Sequence, residues 1–240
     1  MRNAISDSFL SLFYPQACRI CNNIVESRAN GVACQACWDD TRIFSNEDVL
    51  CGKCGAFLPG SEPPAETYCR QCSEHVYDSA TAIGVYEHAL AVSILHLKTT
   101  PYAAKMLRSL LKKTFLRSPF QDATLIVPVP LSGKRLMERG FNQAGLIAHA
   151  LAKDTGIALD EHSLVRTIHT PMHRAAMDKK AREMTVRNAF QITRPKLIAD
   201  QNILLVDDIL TSGSTASHCA KALKKSGASK VNVLTLARAA

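Results

Sequence analysis

One segment of this 240-residue chain, residues 203–219, constrains the fold more than any other. It begins with an apolar run, residues 203–206, that stops at two adjacent carboxylates, Asp207 and Asp208. A short apolar run followed by a turn signal is typical of a strand buried on both faces of a parallel sheet. A loop of small residues then leads into a helical pattern, and the amide groups at a helix N-terminus favour a bound phosphate. The segment therefore predicts a phosphate seat with two carboxylates placed to hold sugar hydroxyls, as a phosphorylated ribose requires.

This segment resembles the ribose-phosphate fingerprint of the type I phosphoribosyltransferases, in which an apolar strand and two acidic residues precede the pattern T-x-G-x-T. The resemblance implies that Asp207 and Asp208 hold the 2- and 3-hydroxyls of phosphoribosyl pyrophosphate (PRPP), which makes them the candidate catalytic residues. It also implies that the following loop wraps the 5-phosphate through Thr211, Ser212, Gly213, Ser214 and Thr215. The alternative is a buried strand that ends in a structural acidic turn. A Walker-type nucleotide site is the weaker interpretation, because G-x-x-x-x-G-K-[ST] occurs nowhere in the chain.

A second loop, in the sequence VPVPLSGKRLMERGFNQA at residues 127–144, is expected beside the first. Ligands in parallel sheets lie at the carboxyl ends of the strands, and a strand is predicted at residues 123–129. A glycine turn with adjacent cations suits pyrophosphate, because Arg offers paired planar donors and Lys a point charge. Mg²⁺ would bridge the pyrophosphate and ribose oxygens. The candidate ligand residues are Ser132, Gly133, Lys134, Arg135 and Arg139. A solvated basic helix face is the alternative.

Eight of the nine cysteines form four Cys-x-x-Cys pairs in the first third of the chain. No export signal is recognised, so metal binding explains them better than disulfides, and redox catalysis lacks an evident low-pKa thiol. Two such pairs complete an all-thiolate zinc site with no open position, which makes the sites structural. Sequential pairing predicts two zinc sites, one from Cys18, Cys21, Cys34 and Cys37 and the other from Cys51, Cys54, Cys69 and Cys72. Spacing alone leaves an interleaved pairing open. Cys219 stands apart and is expected to be a small buried hydrophobe.

From Tyr77 onward the cysteine pairs end, and apolar strand patterns alternate with helical ones. Strands are expected at residues 80–86, 123–129, 164–167, 189–193, 202–207 and 230–236, and helices at 89–97, 103–115 and 142–153. This alternation predicts an α/β fold with a parallel sheet flanked by helices, of the phosphoribosyltransferase type that the resemblance implies. We predict two domains: residues 1–76 form a double zinc ribbon, and residues 77–240 form the phosphoribosyltransferase-like domain.

The net charge of +8 and the pI near 9.1 favour polyanionic partners such as phosphates or nucleic acid. No apolar run approaches the roughly 20 residues of a membrane span, and the first residues lack a secretory pattern, so a cytoplasmic location is expected. The cations that could contact single-strand phosphates are Lys98, Lys105, Arg108, Lys112, Lys113, Lys179, Lys180 and Arg182. Aromatic residues are few, at 6%, which argues against sequence-specific recognition of bases.

A further basic stretch, residues 166–190, contains His169 and His173 at a metal-like spacing. Pro171 lies between the two histidines and argues against a shared helix face, so a metal site is disfavoured. The stretch predicts either a mobile loop that closes over an anionic ligand or a solvated run of charges.

The chain as a whole is similar to the ComF family, from about Cys18 to Ala237. The similarity lies in the doubled cysteine ribbon, YEHALAVSILHLK, VPVPLSGKRLMERGFNQA and ILLVDDILTSGST, and RGFNQ at residues 139–143 is its most distinctive string. The resemblance implies a cytoplasmic competence protein that acts in natural transformation on internalised single-stranded DNA. It also implies a partner, a ComFA-type helicase or another competence protein, which could dock on the zinc domain.

Three functions remain open at this point. The protein could be a phosphoribosyltransferase of nucleotide metabolism with a small-molecule acceptor and no direct DNA role. It could be a DNA-binding accessory protein whose pocket senses PRPP or holds a DNA phosphate. It could also be an adaptor whose zinc unit docks a partner protein.

Overall fold

The computed structural model describes residues 15–58, 67–69, 72, 74–167 and 189–239. Several predictions fall outside the described residues: those on the basic stretch after Thr167 with His169 and His173, and those on Lys179, Lys180 and Arg182. The strands are β1 (Ser79–Val85), β2 (Leu125–Pro128), β3 (Ala158–Leu159), β4 (Leu164–Arg166), β5 (Phe190–Ile192), β6 (Asn202–Leu210) and β7 (Lys230–Arg238). The helices are α1 (Gln35–Asp39), α2 (His88–Leu97), α3 (Lys105–Arg117), α4 (Gly133–Arg139), α5 (Gln143–Thr155), α6 (Pro195–Ile198) and α7 (Ser214–Lys225).

Five strands form one parallel sheet in the order β1-β7-β6-β2-β3, which confirms the predicted fold class. The central strand β6 owes its unbroken apolar run to burial on both faces. Leu204 and Val206 face one hydrophobic cluster, and Ile203 and Leu205 face the other. All four side chains are fully buried. Alternate residues of a strand point to opposite faces, so a sheet covered on both sides selects apolar residues at every position.

Different helices and strands pack on the two faces of the sheet. Helices α2, α3 and α5 pack on the face of Leu204 and Val206, whereas α6, α7 and the pair β4–β5 pack on the face of Ile203 and Leu205. The result is a three-layer α/β arrangement of the kind that parallel sheets require. None of the helices formed by the described residues is long and apolar enough to cross a membrane.

The two cysteine-rich units lie on opposite faces of the sheet at its β1 edge. Cysteines of the first group are buried in the cluster of α2, α3 and α5, and cysteines of the second group in the cluster of α7. The chain between the units pairs with β1 through Phe44, whose amide donates to the Ile83 carbonyl at 2.9 Å, and through the bridge Ile43–Gly84. A Cβ at Gly84 would lie 2.1 Å from the Arg42 carbonyl oxygen, so only glycine permits this approach. The units therefore cover an edge strand that would otherwise be open.

Four expectations from the sequence are wrong in detail. Strand β6 does not stop at the carboxylates but runs on to Leu210, because β7 pairs with it as far as Arg238. The glycine turn expected after residue 130 is helix α4, which begins at Gly133. Strands β4 and β5 lie outside the parallel sheet as an antiparallel pair. The strand expected at residues 123–129 is shorter, Leu125–Pro128, and consists of the residues that pair with β6.

Candidate functional site

The eight paired cysteines form two groups of four, in which all sulfur atoms lie within 4.8 Å of one another. The grouping is the sequential one predicted from spacing, and it excludes the interleaved alternative. Within the first group Cys18 and Cys37 are 3.7 Å apart and Cys21 and Cys34 are 3.6 Å apart. In the second group the Cys51–Cys72 and Cys54–Cys69 distances are 3.4 and 3.5 Å.

These sulfur distances fit zinc. Four Zn–S bonds of about 2.3 Å in a tetrahedron place the sulfurs about 3.8 Å apart, whereas a disulfide needs about 2.05 Å. Seven of the eight sulfur ligands belong to buried or half-buried residues, and only Cys21 is exposed. Each group supplies four thiolates and leaves no position for a substrate, so the two groups can hold structural zinc.

Asp207 and Asp208 lie at the carboxyl end of the sheet, beyond the point where β2 stops pairing with β6. The last contact between these strands is the Val129 amide, which donates to the Val206 carbonyl at 2.8 Å. Both carboxylates are half-buried there, and the Asp208 amide donates to Asp207 Oδ1 at 2.9 Å. The departure of β2 thus leaves the two side chains beside a gap in the sheet, where ligands of parallel folds bind.

The two neighbouring carboxylates at this edge, Asp207 and Asp208, repel each other. Burial, followed by the negative charge of Asp208, raises the pKa of Asp207 well above its usual range, while Arg166 opposes the shift. Two adjacent carboxylates of this kind favour a ligand that brings hydroxyl donors or a cation. The arrangement is therefore suited to a sugar diol.

The loop after β6 turns into α7 at Gly213, which has a φ of +74° and caps the helix. Glycine meets this left-handed conformation at little cost. The hydroxyl residues Thr211, Ser212, Ser214 and Thr215 are exposed around it. The first amides of a helix have no partner within the helix. The Ser214 amide donates to Ser212 Oγ at 3.4 Å, and the next amides of α7 are available to an anion together with the side-chain hydroxyls.

The second predicted loop is a short helix beside the first. Strands β2 and β6 are neighbours, so α4, which follows β2, begins next to the loop that follows β6. Ser132 caps α4, with its Oγ accepting from the Arg135 amide at 3.4 Å. Lys134 is exposed, and Arg135 and Arg139 are half-buried. Gly133 has open space at its Cβ position and an ordinary φ, so its conformation does not require glycine.

Arg166, at the end of β4, lies near the candidate site but was not among the ligand residues named from the sequence. Burial, followed by the positive charge of Arg135, lowers its pKa, while Cys219 and Asp207 act in the opposite direction. Its guanidinium also lies 5.4 Å from the centre of the Phe190 ring. Arg166 thus connects the cations of α4 with the carboxylates of β6. The signals in the sequence were its place at the end of a predicted strand and at the start of the basic stretch 166–190.

The described cations predicted to contact nucleic acid lie on α2 and α3. Lys105, Lys112 and Lys113 are exposed on α3, and Lys98 is half-buried directly after α2. Arg108 forms an ion pair with Asp154 at 3.5 Å and is thereby partly neutralised.

Two protein families match the chain. The family described as a double zinc ribbon domain matches residues 9–74, and the family described as a phosphoribosyl transferase domain matches residues 144–240. The DNA utilization protein YhgH of Salmonella typhimurium is 30% identical over 237 residues, which cover 95% of this chain and 99% of that protein. Competence protein F of Haemophilus influenzae is 28% identical, with coverage of 95% and 99%. Competence protein ComFC of Bacillus subtilis is 34% identical over 115 residues, or 48% of this chain and 44% of that protein.

Proposed function

Because this chain belongs to the ComF family, we propose that it binds PRPP at the carboxyl edge of its sheet and acts on single-stranded DNA in a competence-related role. The names of the relatives support the second part: one is a DNA utilization protein and another is competence protein F. The first part rests on the site itself, where a carboxylate pair and a phosphate-binding loop follow one another on β6.

The order of groups along this edge matches the order of groups in PRPP. The amides and hydroxyls of residues 211–215 are suited to the 5-phosphate, and Asp207 and Asp208 to the ribose hydroxyls. Arg166 is close enough to both Arg135 and Asp207 for their charges to act on it, and the two arginines are suited to pyrophosphate. Mg²⁺ bound with PRPP would neutralise part of the pyrophosphate charge, and it complements the oxygen ligands that Asp207 and Asp208 provide.

The same arrangement could support phosphoribosyl transfer to a small-molecule acceptor as an alternative function. In that reaction a lone pair of the acceptor forms a bond to C1 of the ribose, and the bond from C1 to the pyrophosphate oxygen breaks. The carboxylates would stabilise the positive charge on the ring, and the two arginines the departing pyrophosphate. Release of pyrophosphate in the presence of a candidate acceptor distinguishes this alternative from binding alone.

Replacing Arg135 by Gln should weaken the binding of PRPP much more than the binding of ribose 5-phosphate. Loss of one charge-assisted pair with pyrophosphate lowers PRPP affinity by about 10- to 100-fold. Ribose 5-phosphate lacks the pyrophosphate, so its affinity should change less than about twofold. Isothermal titration of both ligands measures the difference, and Arg194→Gln, beside α6, serves as the control. Equal losses for both ligands would show that Arg135 does not face pyrophosphate.

A cleft of about 360 Å³ between the first zinc unit and helices α2 and α3 supports the DNA part of the proposal. Its lining includes Arg28, His96 and Tyr102, and the tyrosine ring is 61% exposed. Lys98 and Lys105 directly follow the lining residues Leu97 and Ala104, and among the described residues neither takes part in an ion pair. An exposed aromatic ring among unpaired cations suits single-stranded DNA, in which bases stack and phosphates need neutralisation.

Changing Tyr102 and Lys105 to Ala together should weaken binding of a labelled oligo-dT by about 10-fold or more, because stacking contributes about 1–3 kcal/mol per base. Fluorescence anisotropy at several salt concentrations measures the affinity, and loss of a phosphate contact lowers the salt slope by about 0.7. Tyr102→Phe keeps the ring and should bind as the wild type does. Lys225→Ala, on α7 across the sheet, is the charge-matched control. Equal losses of affinity in the double variant and in Lys225→Ala would show that DNA does not bind in this cleft.

A further inference from the structure

The second zinc unit lies directly behind the loop that follows β6. Arg238, at the end of β7, donates to the carbonyl of Leu210 at 2.9 Å and also to the carbonyl of Thr211, where that loop begins. The other terminal nitrogen of the same guanidinium lies 4.0 Å from Cys54 Sγ. Arg238 therefore connects a zinc ligand with the start of the candidate phosphate loop.

A second connection runs through residues 75–77, which follow the last cysteine of the unit. The His75 amide donates to the Cys72 carbonyl at 3.2 Å, and the Val76 amide donates to Ser217 Oγ at 3.0 Å in the first turn of α7. The rings of His75 and Tyr77 are stacked with centroids 4.9 Å apart. They close over Gly213, where a Cβ would lie 2.7 Å from His75 Nε2 and 2.9 Å from the Tyr77 hydroxyl.

The contact between Arg238 and Cys54 depends on the charge of the zinc-bound cysteine group. A Zn²⁺ ion with four thiolates carries two net negative charges, which complement the guanidinium of Arg238. Arg238 Nε is buried and has no hydrogen-bond partner among the described residues, so this cation is already partly removed from water. Without zinc the four cysteines lose the ion that fixes their positions, and Arg238 loses its fixed neighbour at Cys54 Sγ.

We propose that the second four-cysteine site is a positioning element of the ligand site, holding the loop of residues 211–215 in its binding conformation through Arg238, His75 and Tyr77. The first four-cysteine site has no such role, because it packs on the opposite face of the sheet. This inference builds on the proposed PRPP site, but its physical content, a loop braced by the second zinc unit, can be measured without any ligand.

The chain provides a matched pair of variants. Cys69→Ser changes a half-buried ligand of the second group and Cys21→Ser an exposed ligand of the first group, so each leaves three thiolates and should weaken one zinc site while the protein stays folded. Arg238→Gln removes the guanidinium contacts to the loop and to Cys54, while both zinc sites keep all their ligands. Hydrogen exchange of the amides at residues 211–217, zinc content and affinity for PRPP with Mg²⁺ are measured for all three.

We expect these loop amides to exchange about tenfold faster in Cys69→Ser and in Arg238→Gln, and to be unchanged in Cys21→Ser. PRPP affinity should fall by a similar factor in the first two only. If Cys69→Ser is too unstable to purify, Arg238→Gln decides alone. Unchanged loop exchange in Arg238→Gln, or equal acceleration in Cys21→Ser, overturns the inference. A wild-type protein that does not bind PRPP overturns the proposed ligand instead, while the exchange rates still decide whether the second site braces the loop.

Discussion

Replacing Asp207 and Asp208 together by Asn is expected to abolish binding of PRPP in practical terms. Hydrogen bonds from ribose hydroxyls to a charged carboxylate contribute about 1.5–3 kcal/mol each, so loss of both carboxylates lowers affinity by about 10²- to 10⁴-fold. The amide keeps the shape of the side chain, but it removes the charge and replaces one acceptor oxygen by an NH2 donor. Isothermal titration with PRPP and Mg²⁺ measures the loss.

The same substitution should not destabilise the protein. The raised pKa of Asp207 means that folding disfavours its ionised form, a destabilisation that is present at neutral pH and is relieved as pH falls through the folded-state pKa. Two neutral amides remove this repulsion, so the melting temperature at neutral pH should be unchanged or higher. Asp200→Asn, just before the start of β6 and far from the carboxyl edge, is the matched control and should bind PRPP normally. Wild-type affinity in the double variant would reject the ribose assignment.

Removal of zinc by a strong chelator should unfold the protein as a whole rather than only its first 76 residues. Binding of structural zinc contributes about 10–16 kcal/mol in small zinc domains, more than the total stability of most domains. Both cysteine groups are part of the clusters that cover the sheet, so their loss exposes the core on both faces. Elemental analysis should find two zinc ions per chain before chelation, one for each four-cysteine group.

The chain has a built-in probe for this experiment, because Trp38 is its only tryptophan. The indole is 5% exposed in the first zinc unit, and its Nε1 donates to the Asn30 carbonyl at 3.0 Å. Chelation should therefore shift the tryptophan emission to longer wavelength together with loss of far-UV circular dichroism. Far-UV signal that survives a complete shift in emission would show that the sheet folds independently of zinc.

The features that the sequence predicted correctly depend on residues that are close together in the chain. The Cys-x-x-Cys spacing predicted the two groups of four cysteines that could hold zinc, because two sulfurs that bind one ion must lie a short turn apart. The unbroken apolar run of β6 gave a strand buried on both faces, and the small residues after it gave a loop before a helix. These features depend on neighbours in sequence, and each was found where it was expected.

Features that depend on distant partners were not predicted. The length of β6 depends on β7, which continues the pairing to Leu210–Arg238 after the apolar pattern has ended. The place of Arg166 depends on how the pair β4–β5 packs, and its charge environment comes from Arg135 and Asp207, remote in sequence. Arg238 lies two residues beyond the strand expected at 230–236, and only the fold brings it to Cys54.

The positions of the zinc units illustrate the same limit. Spacing assigned their ligands, but nothing in the spacing places one unit on each face of the sheet with Gly84 beneath the connecting chain. This arrangement makes the two units unequal, since only the second reaches the loop after β6.

The most direct measurement is a crystal structure of the protein soaked with PRPP and Mg²⁺. We expect the 5-phosphate on the amides of residues 211–215, with the ribose hydroxyls at Asp207 and Asp208. Density for PRPP at another place, or a phosphate loop still empty at saturating concentration, would contradict the proposed site.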